Sequence, residues 1–338
     1  MKRRTLLKAA ALSPILFVAP AKAIADDEDF GAIRPNQPSR RKHFGKAYQQ
    51  FNSISVGKKA LLWKYFEMQA GPWQTHNQGP QNGERGEGDC VGQGAGGAVD
   101  ILMACDRFMR FEPEPWIAKA SVEMIYAGSR VEIGDGDLRG GAGSHGEWAV
   151  QYLKDYGVIH RIPYQVGENK IDLTGYSPAR SRKYRDSGVP DWLEPIAKER
   201  PIKEYTKILN WRSAFDALYV GQPIIVCSTY AFHDERDKDG FAMPYLSTTV
   251  RRRWRVWNYR KRWYHCMLLA GFDDTGSRPG GLIINSWLDW NSGPTRYDQP
   301  VGSFWVDAEY LDLMFNDWED CFAISSYVGN PEKLLPRV

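Results

Sequence analysis

The stretch GERGEGDCVGQGAGGAVDIL, residues 83–102, constrains the fold more than any other part of the chain. From Val91 onward, Val91, Ala95, Ala98, Val99 and Leu102 recur at helical spacing, and the pattern runs to about Phe111, ahead of Pro113. Gly92, Gly94, Gly96 and Gly97 stand inside this helix, and each weakens a free helix by up to about 1 kcal/mol. A helix that keeps all four needs neighbours closer than side chains allow, so it is expected to run through the centre of a domain. Cys90 stands at its mouth. There it is either a small core residue or a thiol at the positive end of a helix, where open N–H groups favour a thiolate.

The rest of the composition suits a folded chain: 338 residues, 43% hydrophobic and 25% charged, with 13 Trp and 17 Tyr. That length accommodates one large domain or two lobes. A net charge of +3 does not by itself imply a nucleic-acid partner. Five cysteines, at 90, 105, 227, 266 and 321, leave at least one thiol unpaired whatever the compartment. None is spaced as CxxC, and no His stands at ligand distance from a Cys pair, so neither a zinc site nor a cofactor is expected. Cys105, Cys227, Cys266 and Cys321 are expected mostly as free, buried thiols.

Residues 1–25 read as an export signal. Arg3-Arg4 precede an apolar stretch from Leu6 to Ala19, and Ala21-Lys22-Ala23 forms a small-x-small ending. Arg3-Arg4-Thr5-Leu6-Leu7 resembles the twin-arginine motif, which implies a bacterial-type exporter and a periplasmic or extracellular destination. No later segment is apolar for long enough to span a bilayer.

Residues 26–76 form a polar arm or pro-segment, with a helix expected over 57–69. Residues 77–89 are loop. A second helix is expected over 147–157, which closes on Gly157. Beyond about residue 205 the texture changes to short β-branched and aromatic runs: QPIIVCSTY, RWRVWNY, YHCMLLAGF, GGLIINSW and GSFWVDAEYL. The chain is thus expected to be α+β, with a helical lobe over 77–200 and a β-rich lobe over 201–338.

A cysteine nucleophile needs a base, and the base needs a third group to hold its ring. Of six histidines, His265 alone opens an apolar strand, HCMLLAGF. Asn285 ends a second strand that can pair with the first, and its amide oxygen can accept from the imidazole. Trp287, two residues on, is placed to cover that bond. These residues resemble the papain-like cysteine peptidases: the order Cys90, His265, Asn285 matches, as do the helix after the cysteine and the NSW tripeptide at 285–287. The stretch GAGSHGEWAVQYLKDYGVI is similar to the family's cleft-lining turn and helix. The resemblance spans roughly 77–325.

It implies a two-lobed fold, with a helical N-terminal lobe and an antiparallel β-sheet or barrel C-terminal lobe. It also implies a thiol peptidase or amidase acting on peptides or proteins. Cys90 would be nucleophile, His265 base and acid, and Asn285 the orienting residue. Gly143, Ser144, His145 and Trp287 would contact substrate. The family places an oxyanion-donating Gln six residues before the cysteine, where this chain has Glu84; an insertion leaves Gln81, and after it Gln78, for that role. Glu84 and Asp89 favour a second reading, the same fold as an inactive binding or structural module. A third is a cell-wall peptidase or acyltransferase with the same nucleophile. RRRWRVWNYRKRW, 251–263, is expected to be a β-hairpin with a solvated basic face, the alternative being a patch for nucleic acid or another anionic polymer.

Overall fold

The computed structural model describes residues 26–47, 53–75, 78–79, 85–110, 116–251, 254–259 and 261–326, with backbone only for 26–29, 47, 247–251 and 254–259. The export signal and the side chains of residues 251–260 of the basic stretch lie outside the described residues, as do Gln81 and Glu84.

The helices are α1 Phe44–Ala47, α2 Leu62–Ala70, α3 Cys90–Met109, α4 Val122–Gly128, α5 Gly146–Asp155, α6 Pro178–Tyr184, α7 Glu194–Ala197, α8 Trp211–Tyr219 and α9 Ala308–Trp318. The early strands are β1 Asp26–Asp29, β2 Lys59–Leu61, β3 Pro163–Val166, β4 Asn169–Asp172 and β5 Glu204–Lys207. Then come β6 Ile224–Tyr230, β7 Phe232–Arg236, β8 Ala242–Pro244, β9 Leu246–Arg251, β10 Trp254–Tyr259, β11 Lys261–Asp273, β12 Gly280–Ile284, β13 Phe304–Asp307 and β14 Asp320–Ser325. The architecture is α+β: a helical N-terminal region packs against an antiparallel sheet ordered β13-β12-β11-β6-β14-β5. The stretch expected as one hairpin over 251–263 divides: β10 pairs with the preceding β9, and Lys261–Trp263 opens β11.

Three further local expectations change. The segment expected as one helix over 57–69 divides, because Lys59–Leu61 pairs with Gly271–Asp273 of β11 before α2 begins. GSFWVDAEYL likewise divides at Asp307. Leu311, Met314, Phe315 and Trp318 follow at helical spacing and are all buried, and that periodicity lies beyond the strand-like run. α8 is also a helix within the β-rich half, started by Asn210, whose side chain accepts from the Ser213 N–H. The N-terminal arm contributes to the sheet as well, since β1 pairs in parallel with Lys261–Tyr264.

The glycines of α3 explain its position. A Cβ on Gly92 would lie 2.5 Å from the Val122 carbonyl oxygen on α4, and one on Gly96 2.7 Å from Val122 Cγ1. On β11, one on Gly94 would lie 3.1 Å from Cys266 Sγ and one on Gly97 2.9 Å from Leu268 Cδ2. Absent side chains on two faces let α3 press between α4 and β11. This holds the first residue of α3, Cys90, against the strand that carries His265.

Candidate active site

Cys90 is fully buried at the first position of α3, and the Cys266 N–H donates to its Sγ at 3.3 Å. A backbone donor and a helix N-terminus thus converge on one sulfur, the arrangement that favours a thiolate. All five cysteines are buried thiols, with no disulfide.

His265 precedes Cys266 on β11, and its Nε2 lies 2.7 Å from Asn285 Oδ1. The same Oδ1 accepts from the Ser286 N–H at 2.7 Å, which fixes the amide with oxygen toward the ring. Nε2 must therefore carry the proton, which makes Nδ1 the basic nitrogen of the neutral ring; Nδ1 is buried and makes no hydrogen bond. Trp287 stacks on the imidazole at 4.4 Å and 18°, and Trp263 and Phe30 approach it edge-on. Burial in this aromatic box, only partly offset by the Asn285 bond, pushes the His265 pKa down to about 4.

The described glutamine at the site is Gln78. It is buried, its N–H donates to the Ser286 carbonyl at 3.2 Å, and its Oε1 accepts from Ser286 Oγ. Its Nε2 donates to the Phe30 carbonyl oxygen at 2.8 Å. An amide donor aimed at a peptide carbonyl beside His265 is what an oxyanion site needs. Counting six residues back from the cysteine misses Gln78 because the intervening loop is longer; the NQG at 77–79 was its only signal.

The carbonyl that Gln78 holds belongs to the arm. Phe30 and Ala32 both donate to the Tyr264 carbonyl at 3.1 Å, and the Phe30 ring lies 4.3 Å from Trp287. Gly31 O accepts from Ser144 N at 2.8 Å, and Ile33 N returns a bond to Ser144 O at 2.8 Å. His145 Nδ1 donates to Ile33 O at 2.8 Å, while burial lowers its pKa. Gly31 has φ +105° and passes so close to Gly88 that a Cβ would lie 1.9 Å from the Gly88 carbonyl oxygen. Residues 30–33 thus form a strap along the cleft, touching Ser144, His145 and Trp287, and Cys90 and His265 have no exposure beneath it. No periodicity in the sequence marks this strap.

The turn before Ser144 is held from below by Arg130, which is 1% exposed. Its guanidinium donates to the carbonyls of Leu138, Gly141, Gly143 and Arg185, and pairs with Asp186 at 3.1 Å. Tyr126 OH accepts from Gly143 N at 2.9 Å and donates to Glu87 at 3.0 Å, which ties this turn to the approach to Cys90. Arg130→Lys keeps the charge but not the fork of donors. It should lower stability by about 2–4 kcal/mol in urea unfolding, with buried carbonyls left unpaired; an unchanged midpoint would mean the turn holds itself.

Among the described residues, no group of three His, Cys, Asp or Glu side chains could hold a metal, and no helix is long and apolar enough to cross a membrane.

Comparison with solved structures places this architecture. Xylellain, a cysteine protease from Xylella fastidiosa, superposes with a TM-score of 0.57 over 90% of this chain and 98% of that one, at 17% identity. The digestive procathepsin L2 proteinase of the Tenebrio molitor larval midgut matches at 13% identity, over 88% and 78% of the two chains, with a TM-score of 0.49. No protein-family model matches the chain, and no curated protein sequence matches it. The fold is that of the papain-like cysteine proteases.

Proposed function

We propose that the protein is an exported papain-like thiol peptidase or amidase, held latent by residues 30–33. The observation that carries this reading is the pairing of His265 Nε2 with Asn285 Oδ1 under Trp287, which leaves Nδ1 as the basic nitrogen of a residue whose neighbour, Cys266, donates its N–H to Cys90 Sγ. In this reading His265 Nδ1 takes the thiol proton and Cys90 Sγ attacks the amide carbonyl. The oxyanion accepts from Gln78 Nε2, the imidazolium returns the proton to the leaving amine, and water then releases the acyl group from sulfur. With the strap in place the imidazole is desolvated and neutral. Departure of the strap readmits water, which favours the thiolate–imidazolium pair.

The test is the pH dependence of Cys90 alkylation by iodoacetamide in protein whose strap has been displaced, followed by hydrolysis of peptide amides. One fast thiol, lost in Cys90→Ala and shifted to higher pH in His265→Ala, is the expected result. An ordinary thiol profile indifferent to His265 would leave a papain-fold binding module. Transfer of the acyl group to an added amine in place of water would identify an acyltransferase.

Asn285→Ala removes the acceptor that fixes the tautomer. A charge-assisted buried hydrogen bond is worth roughly 1.5–3 kcal/mol, so the rate of acylation should fall about 10- to 100-fold, with thermal stability as the control.

A further inference from the structure

Residues 176–185 grip the approach to the nucleophile at Arg85, Gly86, Glu87 and Asp89. Arg182 donates to the carbonyls of Arg85 and Gly86, and Arg185 pairs with Glu87 at 3.2 Å. Ser181 Oγ and Tyr176 OH donate to Asp89 Oδ2 at 2.6 and 2.9 Å. Asp89 is fully buried, immediately before Cys90, and its other oxygen accepts from Gln93 Nε2 at 3.2 Å. All three partners act as donors, an arrangement that suits a carboxylate anion.

We propose that Asp89 is a positioning residue for the nucleophile: Tyr176 and Ser181 hold its carboxylate one residue from Cys90, and its charge opposes the thiolate until it takes up a proton. This rests on the reading of Cys90 as nucleophile.

The groups around Asp89 leave it the freedom to titrate. Gln93 on α3, Tyr176, and Ser181 on α6 carry no charge at neutral pH. Glu123 on α4 is itself buried and paired with Arg161 at 3.1 Å and Arg180 at 2.6 Å, and its charge adds the smallest contribution to the rise at Asp89. Tyr126, also on α4, is engaged with Glu87 and Gly143. Among the described residues, no cation is bonded to Asp89. Burial therefore prevails over the three donors and lifts its carboxyl to about 7. Above that pH an anion stands one residue before the nucleophile; below it the sulfur ionises without that opposition.

The experiment uses the full chain carrying Gly31→Val to displace the strap. Cys90 alkylation is followed against pH, with the ultraviolet absorbance of the thiolate relative to Cys90→Ala as a readout that needs no access to the sulfur. The expected profile has an inflection near neutrality that Asp89→Asn abolishes. Above it, Asp89→Asn should react about tenfold faster, the effect of roughly one pK unit for removal of a neighbouring charge. Ser181→Ala and Tyr176→Phe each remove one donor to the anion and should move the inflection to higher pH, whereas Ser181→Thr should restore it. Should Asp89→Asn fail to fold, the two donor variants carry the test.

Profiles that superimpose for parent and Asp89→Asn overturn the proposal. So does a uniform slowing at all pH values, which would make the grip purely structural. A profile that responds to Asp89 but not to His265→Ala keeps this inference and removes the peptidase reading.

Discussion

Gly31→Val should expose Cys90 and raise its alkylation rate about 100-fold, without unfolding the protein. The strap is held by pairing with Ser144, by the Gln78 amide and by Phe30 against Trp287. All of these depend on the passage of Gly31 beside Gly88. At that point any side chain would begin 1.9 Å from a carbonyl oxygen and 2.3 Å from its carbon. The obstacle is backbone, so no side-chain rotation relieves it, and φ +105° disfavours a β-branched residue besides. A conflict of this kind disfavours the closed state by roughly 3 kcal/mol, which at 1.4 kcal/mol per decade shifts the open population about 100-fold. Gly276→Val, placed where nothing lies within 4 Å, is the matched control and should leave the rate unchanged. Alkylation of Gly31→Val at the parental rate, with the fold intact, would show that the strap does not gate the thiol.

Gly92→Ala is expected to lower stability by about 2–3 kcal/mol. In an exposed helix the same change stabilises by up to about 1 kcal/mol. Here the new methyl would lie 2.5 Å from the Val122 carbonyl oxygen, 3.0 Å from Tyr126 Cβ and 3.4 Å from Tyr126 N, so α4 itself must retreat. Its retreat would drag Tyr126 from Glu87 and Gly143, and the cleft would loosen with the fold. Gly97→Ala makes the contrast. Its nearest obstacle is the end of the Leu268 side chain at 2.9 Å, which can turn away, and the gain in helix propensity offsets the repacking. Urea unfolding of the two variants should therefore separate by about 2 kcal/mol or more; equal midpoints would mean that α3 is not pinned by α4.

How much of this was written in the sequence differs by element. Cys90 at a helix start, His265 on an apolar strand and Asn285 before Trp287 are local patterns, each carried by a few neighbours, and the glycines of α3 announce close packing on their own. β2 and α9 were misread because a short strand or a helix start borrows its identity from a partner distant in sequence: Lys59–Leu61 from β11, and α9 from the apolar contacts of Leu311 to Trp318. Gln78 was masked by the length of the loop before Cys90, since counting along the chain measures contour and not distance.

The sequence by itself determined which residues have the chemistry to act and that one glycine-rich helix must be buried, because side-chain type and helical spacing are local properties. Only the tertiary structure decided that the arm lies over the cleft, that Gln78 faces a peptide carbonyl, and that α6 clamps Asp89. Those facts are contacts between segments 48, 57 and 92 residues apart. No short-range pattern encodes them, because the closeness of two distant segments is fixed by how the whole core packs.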